Sequence, residues 1–247
     1  MTTKGEFLAS IRAQMRTARD LFPASVAKRP EHPAAEADTI RRELAERWPA
    51  ILERFRVEFA RVGGVFYRVT SLDEVPAVVG RLAREREARG LVAWHAAALG
   101  ADLASALEAR GLDVHEMPAG ETGAADERER LRAITAGADF GLTGVDLAVA
   151  ETGTLILVSG AGRPRSTSLL PPCHIAVFDR TALVESLGQV GVFLEAWHRD
   201  GAPPATGAVI NFITGPSRTA DIELTLTRGV HGPKEVHAIF VEQGIRG

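Results

Sequence analysis

An α/β fold, built as an open and mostly parallel sheet flanked by helices, is what this sequence predicts. Three observations carry that expectation. Short apolar runs suited to strands alternate with longer runs whose apolar residues recur every three or four positions, the spacing of one helix face. Gly, Pro and hydroxyl residues punctuate the joins. The 247-residue chain is 45% hydrophobic, enough for a sizeable core. Strands that alternate with helices imply parallel pairing, with helices covering both faces of the sheet.

Thr3 to Leu21 reads as an amphipathic helix, with Leu8, Ile11, Met15, Ala18 and Phe22 on one stripe. Pro23 ends it, and Pro30 and Pro33 keep the chain open through Ala37. Residues 1–37 are therefore expected to form a helical N-terminal segment and a Pro-rich linker ahead of a single α/β domain, 38–247. The first helix reads as an arm, packed on its own domain or on a second copy in a homo-oligomer. Asp38 to Val62 sets Ile40, Leu44, Trp48, Ile51, Phe55, Phe59 and Val62 on one apolar seam. That seam fits a helix lying on the core or a coiled-coil contact. Pro49 predicts a kink or a fresh start within it.

After Gly63-Gly64 the alternation begins with a strand, Val65 to Val69. Ser71 and Glu74 form a capping-box signature before a helix carrying Val75, Val78, Val79 and Leu82, which Gly90 is expected to close. Leu91–Trp94 and Leu112–His115 read as strands, separated by a helix through Leu103 and Leu107 that ends at Gly111. Ala125–Ala136 reads as a helix. Strands then crowd near Phe140–Thr143, Leu147–Ala150 and Thr154–Ser159, with Glu151-Thr152-Gly153 as a tight turn and Gly153 at positive φ. His174–Phe178, Ala208–Ile213 and Val236–Val241 are further strands, and Leu183–His198 is a helix. Ile222, Leu224 and Leu226 alternate like a strand, while a short helix from Ser217 fits equally.

Composition removes several function classes. A formal net charge of -3 argues against nucleic acid, which wants a basic face, and leaves room for a local basic pocket. Cys173 is the one cysteine, so the chain makes no internal disulfide and cannot supply the ligands of an iron–sulfur cluster. That fits a reducing cytoplasm. The start lacks the apolar core of a signal peptide, and no apolar run spans a bilayer.

Four clusters, with the pair Cys173-His174 just after the second, carry chemistry. Turns like these sit beyond the carboxyl ends of strands in α/β sheets. In Ala150-Glu151-Thr152-Gly153-Thr154, Glu151 is a candidate nucleophile or general base, or a solvated turn residue. In Arg163-Pro164-Arg165-Ser166-Thr167-Ser168, guanidinium beside hydroxyls suits an anion, or forms a solvated loop. Cys173-His174 reads as a metal or redox pair, or as a buried thiol beside a hydrogen-bonded core histidine. In Thr214-Gly215-Pro216-Ser217-Arg218-Thr219-Ala220-Asp221, Arg218 is the expected anchor for a small carboxylate or phosphate, unless it pairs with Asp221 or Glu223. In Gly229-Val230-His231-Gly232-Pro233, His231 is a candidate proton carrier or a structural turn residue. The spacing of His231 and His237 matches no zinc pattern, and no metal ligand is assigned. Neither a Walker A loop nor a GxGxxG fingerprint is present. The turns holding Glu151, Arg165, Ser217–Arg218 and His231 are expected to meet in one cleft.

TGVDLAVAETGTLILVSG, RSTSLLPPCHIAV, NFITGPSRTADIE and GVHGPKEVHAIFV, spread over Asp139 to Val241, resemble the signature blocks of the LUD-domain family, in its lactate utilization protein C branch. The resemblance implies a fold similar to the NagB/RpiA/CoA-transferase group. It implies a non-redox subunit of an iron–sulfur-dependent system oxidising L-lactate to pyruvate, with the clusters in partner proteins and no cofactor in this chain. The blocks land on Glu151, Thr152, Gly153, Thr154, Arg165, Ser168, His174, Asn211, Thr214, Gly215, Ser217, Arg218, Asp221, His231, Gly232 and Pro233. The alternative is a free-standing enzyme of the same fold, acting on an acyl or phosphorylated substrate with Glu151 as nucleophile or base.

Overall fold

The computed structural model describes residues 3, 5, 6, 10, 30–120, 125–200, 209–220 and 226–245. The chain divides into two units, Met1–Glu31 and His32–Gly247, and the architecture belongs to the second. Most of the expected helix from Thr3 to Leu21 and half of the expected linker, residues 22–29, lie outside the described residues, as does Asp221.

In order come α1 (Pro33–Arg61), β1 (Val65–Val69), α2 (Val75–Arg86), β2 (Gly90–Ala93), α3 (Ala96–Leu99), α4 (Ala104–Glu108), β3 (Asp113–Glu116), α5 (Ala125–Gly137), β4 (Phe140–Gly144), β5 (Leu147–Val149) and β6 (Thr154–Val158). Then follow α6 (Ser166–Leu169), β7 (Cys173–Asp179), β8 (Leu183–Val184), α7 (Leu187–Asp200), β9 (Ile210–Ile213), β10 (Arg218–Ala220), β11 (Leu226–Arg228) and β12 (Glu235–Val241). Six strands form one sheet in the order β1-β12-β7-β4-β2-β3, with every pairing parallel. A second, four-stranded sheet runs β8-β5-β6-β9 with mixed pairing. β10 and β11 form an antiparallel ribbon.

The central strands are mostly apolar and are covered on both faces. All of β4 and β7 is buried. α1 covers one face: Phe55 stacks on Phe59 at 5.3 Å and meets Phe178 edge-on at 5.3 Å, and Trp48 stacks on Phe240 at 5.5 Å. The apolar seam of α1 is thus a core contact, not a coiled coil. Residues alternate faces along a strand, so Tyr67, Glu235 and His237 lie on the opposite side, where α2 brings Arg81 over Tyr67 and Arg86 onto Glu235.

Several local expectations are corrected. α1 begins at Pro33, inside the expected linker, because proline suits the first helical position, where its missing N–H costs nothing. The helix runs through Pro49, which sits on the exposed side, so the carbonyl it frees meets water. Ser71 makes no side-chain cap, and a 3-10 turn, Leu72–Glu74, leads into α2 instead. α2 closes at Glu87, with φ 53, and Gly90 opens β2. Leu183 and Val184 are a short strand paired to β5, so α7 starts later than the apolar spacing suggests. Residues 218–220 are strand, which removes the helical alternative there.

Candidate functional site

Three of the turns singled out in sequence gather at the C-terminal end of α1. Gly153 has φ 61, and a Cβ there would strike the Phe59 backbone nitrogen. Gly215 has φ 81, and its Cβ would strike the Val62 carbonyl. Only glycine lets these turns close onto the helix end. The hydroxyls of Thr152, Thr154 and Thr214 form a chain with contacts of 2.7 and 2.8 Å. The Ser217 N–H donates to the Pro233 carbonyl at 2.9 Å, the Gly229 N–H donates to the Ser217 carbonyl at 3.1 Å, and the His231 N–H reaches Ser217 Oγ at 3.4 Å. Gly232 lies against Ser217.

The charged groups of these turns serve the helices. Arg218 Nη2 donates to the Val62 carbonyl at 2.8 Å, so its charge rests at the negative end of α1. The Glu151 carboxylate accepts the Leu187 N–H at 3.0 Å, capping α7 from outside. Arg165 has a different neighbourhood. It precedes α6, where its carbonyl accepts both the N–H and the hydroxyl of Ser168, and the Thr167 carbonyl presses on Gly141 of β4. The turns near Gly63 and His231 lead into β1 and β12. The gathering therefore lies at the amino ends of the parallel strands, not beyond their carboxyl ends as the turn pattern suggests.

The carboxyl edge holds a different constellation. From β2 the sheet grows one way to β3 and the other way to β4, and ligands bind at such switch points. His95 follows β2 and Glu116 ends β3, with His95 Nε2 3.4 Å from Glu116 Oε1. His95 Nδ1 accepts the Ala97 N–H at 3.2 Å, so the ring proton sits on Nε2 and faces the carboxylate. Glu116 Oε1 also accepts the Ala96 N–H at 2.8 Å. Asp146, just past β4, is 2% exposed; it pairs with the Arg163 guanidinium and accepts the Val158 N–H at 2.7 Å. Arg163 lies 4.7 Å over the Trp94 ring.

Beside this group is a cavity of about 130 Å³ lined by Arg41, Asp146, Asp179, Thr181, Trp197 and Ile245 among others. Asp179 is satisfied internally: Oδ1 accepts the Thr181 N–H at 2.8 Å, and Oδ2 accepts the Ile245 N–H at 2.6 Å. Arg163 neutralises Asp146. The positive group of the lining besides this pair is Arg41, which also lies 4.9 Å over the Phe193 ring and makes an exposed pair with Asp38 at 3.2 Å.

The profile of the LUD domain matches residues 52–241. The chain belongs to the LUD domain family. It is 35% identical to Lactate utilization protein C of Halalkalibacterium halodurans over 176 residues, 70% of this chain and 71% of that protein. To the protein of the same name from an Exiguobacterium species it is 42% identical over 113 residues, 46% of this chain and about half (48%) of that one. The crystal structure of a DUF162 family protein from Deinococcus radiodurans superposes with a TM-score of 0.53 at 25% identity, covering 78% of this chain and 97% of that chain.

Within this LUD domain His174, Cys173 and Asn211 lie on strands of the two sheets. His174 is fully buried; burial holds it neutral, down to about 3, and Nε2 meets the Thr143 hydroxyl at 2.8 Å. Its Nδ1 has no partner among the described residues, nor has the nearby Thr167 hydroxyl. Cys173 projects to the other face, and burial pushes its thiol up to about 12, too high for a nucleophile. The pair is thus a buried thiol and a core histidine on opposite sides of the sheet. Asn211 lies in β9, opposite Leu157. Arg41, His95, Glu116 and Asp146 went unnoticed in sequence, whereas Arg163 was read as part of an anion grip or a solvated loop and pairs with Asp146 instead. The available signal was positional for three of them: His95, Glu116 and Asp146 stand at or just past the carboxyl ends of parallel strands. No helix among the described residues is long and apolar enough to cross a membrane.

Proposed function

We propose that this protein is a component of a lactate-utilisation system, a subunit without a redox centre of its own that holds a small carboxylate at the carboxyl edge of its parallel sheet. The observation that carries this is the LUD domain match over residues 52–241, joined to a relative named Lactate utilization protein C aligned across 70% of the chain. Chemistry supports the division of labour. Oxidising L-lactate to pyruvate releases two electrons and two protons, and the electrons need an acceptor. A chain whose one cysteine is Cys173 lacks the thiolates for a cluster, so the acceptor belongs to iron–sulfur partners. Arg41 grips the carboxylate with its planar fork, the strength of which is a charge-assisted pair. The His95–Glu116 pair offers a proton-handling group at the same edge.

Calorimetric titration with L-lactate and with pyruvate tests the site. Arg41→Ala is expected to weaken binding roughly 10- to 100-fold, the loss of a charge-assisted bidentate contact. Equal affinity in the variant removes Arg41 from the site, and no binding by the intact protein removes the carboxylate. Affinity purification from the native host tests the partners: iron and acid-labile sulfide should co-elute, while the isolated chain stays colourless. Iron together with acid-labile sulfide, in stoichiometric amount on the chain alone, would overturn the division of labour.

A further inference from the structure

The amino ends of β7 and β12 hold a donor cluster that the lactate reading does not use. We propose that Cys173, Glu235 and His237 bind one divalent transition-metal ion of the zinc class. Cys173 and Glu235 are direct neighbours across the parallel ladder, and His237 lies two residues beyond Glu235 on the same face. The thiol, one carboxylate oxygen and one ring nitrogen all lie within 4.8 Å of one another. A tetrahedral zinc holds its ligand atoms roughly 3.5 Å apart, so contraction by about 1 Å completes the set.

The cluster is built as a site rather than as a plain ion pair. His237 is 1% exposed, its Nε2 meets Glu235 Oε2 at 2.9 Å, and its Nδ1 is buried with no partner among the described residues. Nε2 is the ring nitrogen that faces Glu235, and the tautomer with its proton on the buried Nδ1 leaves the Nε2 lone pair for a metal. Arg86 donates twice to Glu235 Oε2, at 2.9 and 2.6 Å, and no hydrogen bond among the described residues reaches Oε1. The arginine thus orients the carboxylate as an outer partner and leaves the other oxygen for a ligand. Tyr67 stacks on the histidine ring at 5.8 Å and fixes its plane. The Glu235 side chain is 41% exposed, which gives an ion a way in. One sulfur, one nitrogen and one oxygen favour zinc, cobalt or ferrous iron over magnesium or calcium. The site is roughly 20 Å from the carboxyl-edge cavity, the length of β7, so it stands independently of the proposed lactate function. Its effect would be to tie β12 to β7.

Cobalt is the probe, because a thiolate-to-cobalt charge-transfer band appears in the near ultraviolet only with a sulfur ligand. The chain has one cysteine, so the band reports Cys173 alone. Full-length protein, stripped with a chelator, is expected to bind one equivalent of Co²⁺ with that band, and zinc is expected to displace the cobalt and bleach the band. Cys173→Ser should abolish the band and weaken zinc binding at least about tenfold. Glu235→Gln, at a half-exposed position where folding is tolerant, should weaken it too while keeping the band. No band at saturating cobalt, or zinc affinity unchanged in both variants, overturns the proposal.

Discussion

Arg218 and Glu151 show how a charged turn residue can look catalytic and be spent on a helix end. Arg218 donates to the last turn of α1, and Glu151 accepts from the first residue of α7. Each sits where the dipole of its helix favours its sign. Glu151→Ala should cost about 1 kcal/mol, read by chemical denaturation, and Arg218→Ala about 0.5 kcal/mol. Neither should change carboxylate affinity. A covalent acyl adduct on Glu151, or lost ligand binding with unchanged stability in Arg218→Ala, would reverse these assignments. His174 makes a pH prediction. Burial keeps it neutral down to about 3 in the folded chain, whereas an unfolded histidine titrates near 6.5. Its contribution is therefore complete above about pH 6.5 and is lost as pH falls toward 3, by at most about 1.4 kcal/mol per pH unit. With a chelator present, His174→Gln should flatten the stability profile over that window, leaving the smaller slope of His237, whose pKa burial also lowers. An unchanged slope would show that His174 does not titrate as a neutral core group.

At the scale of elements, periodicity and punctuation located most strands of the parallel sheet and the helix seam of α1. They failed where tertiary pairing overrides local pattern. Leu183 and Val184 carry helical spacing yet pair with β5, and Gly90 looks like a helix stop yet opens β2. The same failure explains the site. Gly153, Gly215 and Gly232 were legible because glycine-rich turns advertise close backbone approach, and the structure shows that approach against α1 and Ser217. Asp146 was not, since an aspartate after a strand announces no partner until the fold joins it to Arg163. The grouping of Cys173 with Glu235 and His237 was hidden for a related reason: the ladder sets Cys173 opposite Glu235, and linear spacing does not. The division of the chain at Glu31/His32 makes a prediction of its own. The core that α1 completes begins at Ala37, with Ile40 and Leu44 following, so removing residues 1–29 should leave one cooperative melting transition. Insoluble or multiphasic protein would show that the arm belongs to the core or to an oligomer.

For the whole molecule, the parallel sheet has two chemically different edges. Its amino edge carries the glycine turns, the helix caps and the Cys173–Glu235–His237 cluster. Its carboxyl edge carries the cavity with Arg41 and the His95–Glu116 pair, where an α/β sheet of this order offers its crevice. The LUD domain match and the relatives named Lactate utilization protein C give the protein a metabolic setting, lactate utilisation. The central claim is tested most directly by growth of a host strain lacking this gene on L-lactate or on pyruvate as the only carbon source. The account predicts no growth on L-lactate, normal growth on pyruvate, and rescue on L-lactate by the intact gene. Equal growth of the deletion strain and its parent on L-lactate would contradict it.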